Sequence, residues 1–130
     1  MGPVNWLAVV LAAALALAIG IVWNGPLFRT GRQLLPGNSQ RAGNYAVVGI
    51  VFLISSAMLG HMFARIGAET LAVKPWLYFM QTGGVAIAFV IPSVWLTHVR
   101  NRAEPARRVI DCLFWLIAYL AMGLVFWVLG

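Results

Sequence analysis

Acidic side chains are nearly missing from this sequence: Glu69, Glu104 and Asp111 are the only three in 130 residues. With two histidines, His61 and His98, and a single cysteine, Cys112, they make up the acid, base and ligand inventory beyond the phenols. That is thin for an enzyme, and no catalytic motif stands out. A lone cysteine excludes an internal disulfide and a paired-thiol redox site within one chain; Cys112 reads as a small buried apolar residue. Charge of either sign is scarce, at 9% of residues, whereas 62% are apolar. An ordinary soluble domain is roughly half apolar and about a quarter charged. A soluble chain this short could not hide so much apolar surface, so the natural solvent is lipid.

What the sequence does have is long apolar runs. Spans of about 20 apolar residues cross the hydrocarbon as helices, because lipid leaves backbone groups no other partner. Four such runs are present, at 4–23, 45–64, 76–96 and 109–129. The expected fold is all-α: one integral membrane domain over 1–130, a bundle of four transmembrane helices. The run "LAAALALAIG" also resembles a signal-peptide core, but no Lys or Arg precedes Trp6, and a secretory signal normally opens with positive charge. It is read as a permanent helix.

The formal net charge of +6 does not point to nucleic acid, because the basic residues lie only in the connections between spans. Arg29, Arg32 and Arg41 follow the first span, and Arg100, Arg102, Arg107 and Arg108 follow the third. Arg65 and Lys74 alone lie on the other side. Cationic connections stay in the cytoplasm, so both termini are expected outside a bacterial inner membrane. The expected interfacial anchors agree, with Trp6, Trp76 and Trp127 at the outer face and Trp23 and Trp95 at the inner one, where amphipathic rings favour headgroup depth. Trp115 lies about a turn and a half into its span and fits the belt less well.

Trp23 anchors the end of the first span. Asn24 and Gly25 are expected to stop that helix and Pro26 to prevent its continuation, leaving Leu27 and Phe28 in the interface before Arg29 meets headgroups. The segment 31–44, "GRQLLPGNSQRAGN", reads as a linker with turn chemistry at Pro36, Gly37 and Asn38.

Three stretches, "NWLAV" at 5–9, "GIVWNGPLF" at 20–28 and "RRVIDCLFWLIAYLAMG" at 107–123, resemble the small bacterial membrane proteins grouped as domain of unknown function 1761. The resemblance covers most of the chain and implies four spans, with an aromatic-Gly-Pro-like exit from the first. Asn24 departs from it, standing where the family usually has Tyr. It implies no activity, because the family has none assigned.

The remaining side chains are read one by one. His61 lies near the outer end of the second span and His98 just past the inner end of the third, roughly 25 Å or more apart at 1.5 Å per residue. They cannot share a metal, and zinc needs about four ligands within reach, so no metal site is expected. Asp111 lies three and four residues after Arg108 and Arg107, which makes a helix-start ion pair of the three. Glu69 and Glu104 read as solvated charge. No acidic residue lies inside the first three spans, which disfavours a small-solute or ion permease. Pro92 is expected to bend the third helix, with Ser93 or Thr97 available to a freed carbonyl.

Packing chemistry dominates the spans. Ala8, Ala12, Ala16 and Gly20 form a small-residue stripe, and Ser56 with Gly60 and Gly84 with Ala88 repeat the spacing. The expected role is therefore non-catalytic: an accessory or scaffolding subunit, without cofactor, packed against other membrane subunits or its own copies. The alternative is a pigment- or haem-binding subunit. Ala57 and Gly60 leave room beside His61 for a bacteriochlorophyll or haem, and the Ala57-x-x-x-His61 spacing is similar to that of bacterial light-harvesting polypeptides.

Overall fold

In a computed structural model, residues 3–23 and 38–129 are described, with side chains over 3–23 and 45–129. All regular structure among them is helical: α1 (Trp6–Val22), α2 (Asn38–Ile66), the short α3 (Ala68–Val73), α4 (Trp76–Val85), a π turn (Ala86–Val90), α5 (Ile91–Arg100) and α6 (Pro105–Leu129). Tyr45–Ile66, Trp76–Arg100 and Pro105–Leu129 are long and apolar enough to cross a membrane. Helix α1 is as apolar but shorter; its 17 residues rise about 25 Å, a little under a typical hydrocarbon core of about 30 Å.

Helix α1 packs against both α2 and α6. Its Ala8, Ala12 and Ala16 are fully buried and Gly20 is buried too, while Leu7, Val10 and Leu11 on the opposite face are exposed. A helix apolar on every side suits a lipid environment, where small residues mark the protein-facing stripe. Asn5 caps the helix by accepting the Ala8 N–H at 3.2 Å, and its Nδ2 donates to the Leu129 carbonyl at 2.9 Å. The start of α1 is thereby tied to the end of α6, and the two run antiparallel.

Two glycines fix how closely neighbours approach. A Cβ on Gly60 would fall 2.8 Å from Val9 Cγ2 and 3.1 Å from Val4 Cγ1, and one on Gly123 would fall 3.1 Å from the Tyr78 carbonyl oxygen. A side chain at 123 would press on that backbone, and one at 60 would force the Val9 side chain to shift. Aromatic rings fill the rest of the core: Phe52 meets Phe114 and Trp115 toward one end, and Phe63 meets Tyr78 and Phe126 toward the other. Trp115, poorly placed for an interfacial belt, belongs to the first of these clusters.

Several element boundaries differ from the sequence reading. Residues 38–44, read as linker, already belong to α2; the expected helix stop at Asn24, Gly25 and Pro26 and the expected turn at Pro36 and Gly37 lie outside the described residues. Helix α6 starts at Pro105 rather than 109, because proline lacks only an N–H that the first helical position leaves unused. A left-handed Gly67 (φ 96°) separates α2 from α3, which was read as plain connection and whose Leu71 is buried. In the third span the irregularity lies just before Pro92: over Ala86–Val90 the helix widens to a π turn, and the Ile91 N–H reaches back to the Ala86 carbonyl. A ring that cannot follow α geometry toward the preceding turn is accommodated by that extra residue. Ser93 Oγ donates to the Phe89 carbonyl and Thr97 Oγ1 to the Ser93 carbonyl, each at 2.8 Å.

Candidate functional site

The reversal between α5 and α6 brings several polar side chains together. Helix α5 ends with the Ala103 N–H on the His98 carbonyl at 2.9 Å and the Arg102 N–H on the Val99 carbonyl at 3.2 Å, with Arg102 left-handed at φ 56°. This is the Schellman closure, with arginine where glycine is usual; a left-handed non-glycine residue costs roughly 1–2 kcal/mol. The tight turn brings the last turn of α5 beside the second turn of α6. His98 Nε2–H then donates to Asp111 Oδ2 at 2.6 Å, with the side chains only 17% and 15% exposed. A hydrogen bond to a carboxylate at that length is among the stronger kinds.

Asp111, expected in a helix-start group with Arg107 and Arg108, gains a partner that the sequence reading did not give it. Asp111 is engaged by His98, whereas Arg108 turns away: its Nε donates to the Ala103 carbonyl at 3.0 Å and its guanidinium lies 5.6 Å from the centre of the Trp95 ring. Arg107 is half-buried beside them. The sequence reading ended the third span at 96 and began the fourth at 109, so His98 fell on a connection instead of a helix. Extending α5 to Arg100 and α6 back to Pro105 is what makes the two side chains neighbours.

His61 lies at the other end of the molecule. Its Nδ1–H donates to the Ala57 carbonyl at 2.8 Å and its ring stands edge-on to Trp6, with centroids 5.7 Å apart. The residue is exposed. The bond to Ala57 puts the proton on Nδ1 and directs the Nε2 lone pair outward, which is how a ligating histidine is oriented and equally how an unligated one satisfies its donor. Among the described residues no group of three or more His, Cys, Asp and Glu side chains could hold a metal ion.

The small-residue stripes meet one another in part. Ser56, fully buried, donates to the Val9 carbonyl at 2.7 Å, and Gly60 lies against Val9 and Val4, so these two positions of α2 face the stripe of α1. Gly84 and Ala88 are exposed, and a Cβ on Gly84 would meet nothing within 4 Å. Within the chain the close approach is made instead by Gly83, whose added Cβ would fall 3.2 Å from Leu120 Cδ2, and by fully buried Ala86. The buried face of the third span follows Tyr78, Thr82, Gly83 and Ala86, one helical step away from the 84/88 pair.

The sequence pattern of the family described as Protein of unknown function (DUF1761) matches residues 7–127. The chain belongs to the DUF1761 family. Neither a curated protein nor a solved structure matches it. The matched region of this DUF1761 chain holds both histidines and the His98–Asp111 pair. Of the tryptophans read as anchors, Trp6, Trp76 and Trp127 are exposed, on helix ends near the Asn5–Leu129 contact. At the opposite end Trp95 carries Arg108, and half-buried Trp23 packs against Phe114.

Proposed function

We propose that this DUF1761 protein is a non-catalytic, four-span protein of a bacterial inner membrane, with both termini outside, that serves as an accessory or scaffolding subunit in a larger membrane assembly. The observation that carries this reading is how the polar side chains of the apolar midsection are used. Ser56 Oγ is bonded to the Val9 carbonyl, Thr82 Oγ1 to the Tyr78 carbonyl at 2.9 Å, and the Tyr119 hydroxyl to Ser55 Oγ at 3.1 Å. The first and third join helices and the second turns Thr82 back onto its own helix, while the His98–Asp111 pair sits at one end rather than midway. The outward faces are apolar, as at Ile54, Met58, Ile87 and Phe89. Support for counting α1 as a span is that it runs beside α6 from the Asn5–Leu129 contact to the Trp23–Phe114 contact.

The orientation rests on seven cationic side chains in two connections against two on the other side. A reporter fused after Gly130 is expected to work only if it folds outside the cytoplasm; cytoplasmic reporter activity would overturn the orientation. The accessory role is tested by purification from native membranes in mild detergent. A membrane partner held at fixed stoichiometry through size exclusion is the expected result, and a lone protein under every mild condition removes the role.

A second reading is favoured by the His61 geometry alone. With Nδ1–H committed to Ala57, Nε2 is available to the iron of a haem or the magnesium of a bacteriochlorophyll, and the protein is then a pigment- or haem-binding subunit. Its test is tetrapyrrole per chain in the natively purified protein, which His61→Leu must abolish.

A further inference from the structure

Where Asn5 meets Leu129, the chain encloses a half-open cavity of about 400 Å³ whose lining includes Asn5, Gly60, Phe63, Ala64, Tyr78 and Phe126. Its size falls within the range of small-molecule sites, which are mostly apolar with a few placed polar groups. Three of its walls are rings: Phe63 lies 4.8 Å from Tyr78 and 5.1 Å from Phe126, centre to centre. Among the described residues, no Lys, Arg, Asp, Glu or His lines it.

Two hydrogen-bond donors remain there. Tyr78 is 6% exposed, and among the described residues its hydroxyl has no hydrogen-bond partner, although the Tyr78 carbonyl accepts from Thr82. The hydroxyl is also absent from the side-chain polar atoms sealed away without a partner, so it keeps some exposure on a residue that lines the cavity. Asn5 spends one amide N–H on the Leu129 carbonyl and its oxygen on the Ala8 N–H, which leaves the second N–H. Both are donors without an acceptor among the described residues, and a ligand carrying an acceptor can meet them.

We propose that this cavity binds an uncharged, flat, carbonyl-bearing ring of the quinone class, lying against the packed Phe63, Tyr78 and Phe126 rings with a carbonyl oxygen accepting from the Tyr78 hydroxyl. Charged ligands are disfavoured because no counter-charge lines the site and burial strips their water. Ring walls select a flat body over an acyl chain, since aromatic pairs gain from offset or edge-on contact beyond the area they bury. The site is independent of the accessory role and of any ligand at His61, and it requires no redox step.

The test is equilibrium dialysis of menadione against the purified protein in dodecylmaltoside, with protein-free micelles as reference. Saturable binding near one per chain is expected. Tyr78→Phe should raise the half-saturation concentration roughly fivefold, as expected from loss of one neutral hydrogen bond. Ala64→Phe, which fills the cavity, should abolish binding with helix content unchanged by circular dichroism, and His61→Leu should leave binding intact. Binding that does not saturate overturns the proposal, as does binding indifferent to both Tyr78→Phe and Ala64→Phe. Displacement by ethyl decanoate as effective as by menadione overturns the ring class.

Discussion

Helix α1 and helix α5 are both apolar and both packed against α6, yet they are held by opposite means. Six of the 17 residues of α1 are buried, four of them alanine and one glycine, whereas none of the 10 residues of α5 is buried. Contact along α1 is contact between backbones. Helix α5 is fastened near its C-terminal end instead, by His98 on Asp111, Arg108 over Trp95 and the left-handed turn at Arg102. Lipid tails are as apolar as leucine, so helices in a bilayer gain nothing by hiding apolar surface from each other. They associate through close approach or through polar bonds, and this chain uses one device in each place.

The sharpest way to break that comparison is to add volume where the backbones touch. Ala12→Leu, at a fully buried position of α1, is expected to cost about 3 kcal/mol, the upper part of the range for overpacking. Ala88→Leu, on an exposed face of the third span, should change stability by less than about 0.5 kcal/mol. Unfolding by sodium dodecyl sulfate in dodecylmaltoside micelles, followed by circular dichroism, compares the two. Equal costs would mean that α1 touches lipid as freely as the outer face of the third span does.

The polar fastening is tested at the other helix. Asp111→Ala removes the acceptor of a charge-assisted hydrogen bond and is expected to cost about 2 kcal/mol. The loss should be local: amides of residues 91–103 should exchange hydrogen faster, while those of α1 keep their protection. Faster exchange in α1 as well would show that the two helices open as one unit.

How much of this was legible beforehand follows from the same contrast. Alanine at every fourth position of α1 is a repeated signal, and the four residues it singled out, Ala8, Ala12, Ala16 and Gly20, are all buried, with Val9 and Ala13 beside them. The third span offered only the single pair Gly84 and Ala88, and the packed face runs through Gly83 and Ala86 instead. Which face is buried there depends on Tyr78 and Thr82 meeting α6 at Gly123, a tertiary choice that local spacing does not encode. The His98–Asp111 pair was missed for a different reason. Hydropathy marks where apolar residues stop, not where the helix stops, and the polar ends of α5 and α6 continue several residues past the apolar runs. Short α3 was lost the same way, with Glu69 and Lys74 marking the segment as a connection although Leu71 is buried.

The smallest effect is expected at the one polar bond between α1 and α2 described here, Ser56 Oγ to the Val9 carbonyl at 2.7 Å. That carbonyl keeps its place in the α1 hydrogen-bond ladder whether or not Ser56 is there, so removing the hydroxyl leaves no orphaned acceptor. Ser56→Ala should therefore cost about 0.6 kcal/mol, the average for hydrogen bonds between membrane helices, and the small methyl side chain still permits the approach that Gly60 sets against Val9. The same detergent unfolding measures it. If Ser56→Ala costs as much as Ala12→Leu, α1 is held by a polar bond just as α5 is, and the distinction between the two helices collapses. A cost near the expected value assigns the hold on α1 to the alanine stripe, with Ser56 fixing the register between two backbones that already touch.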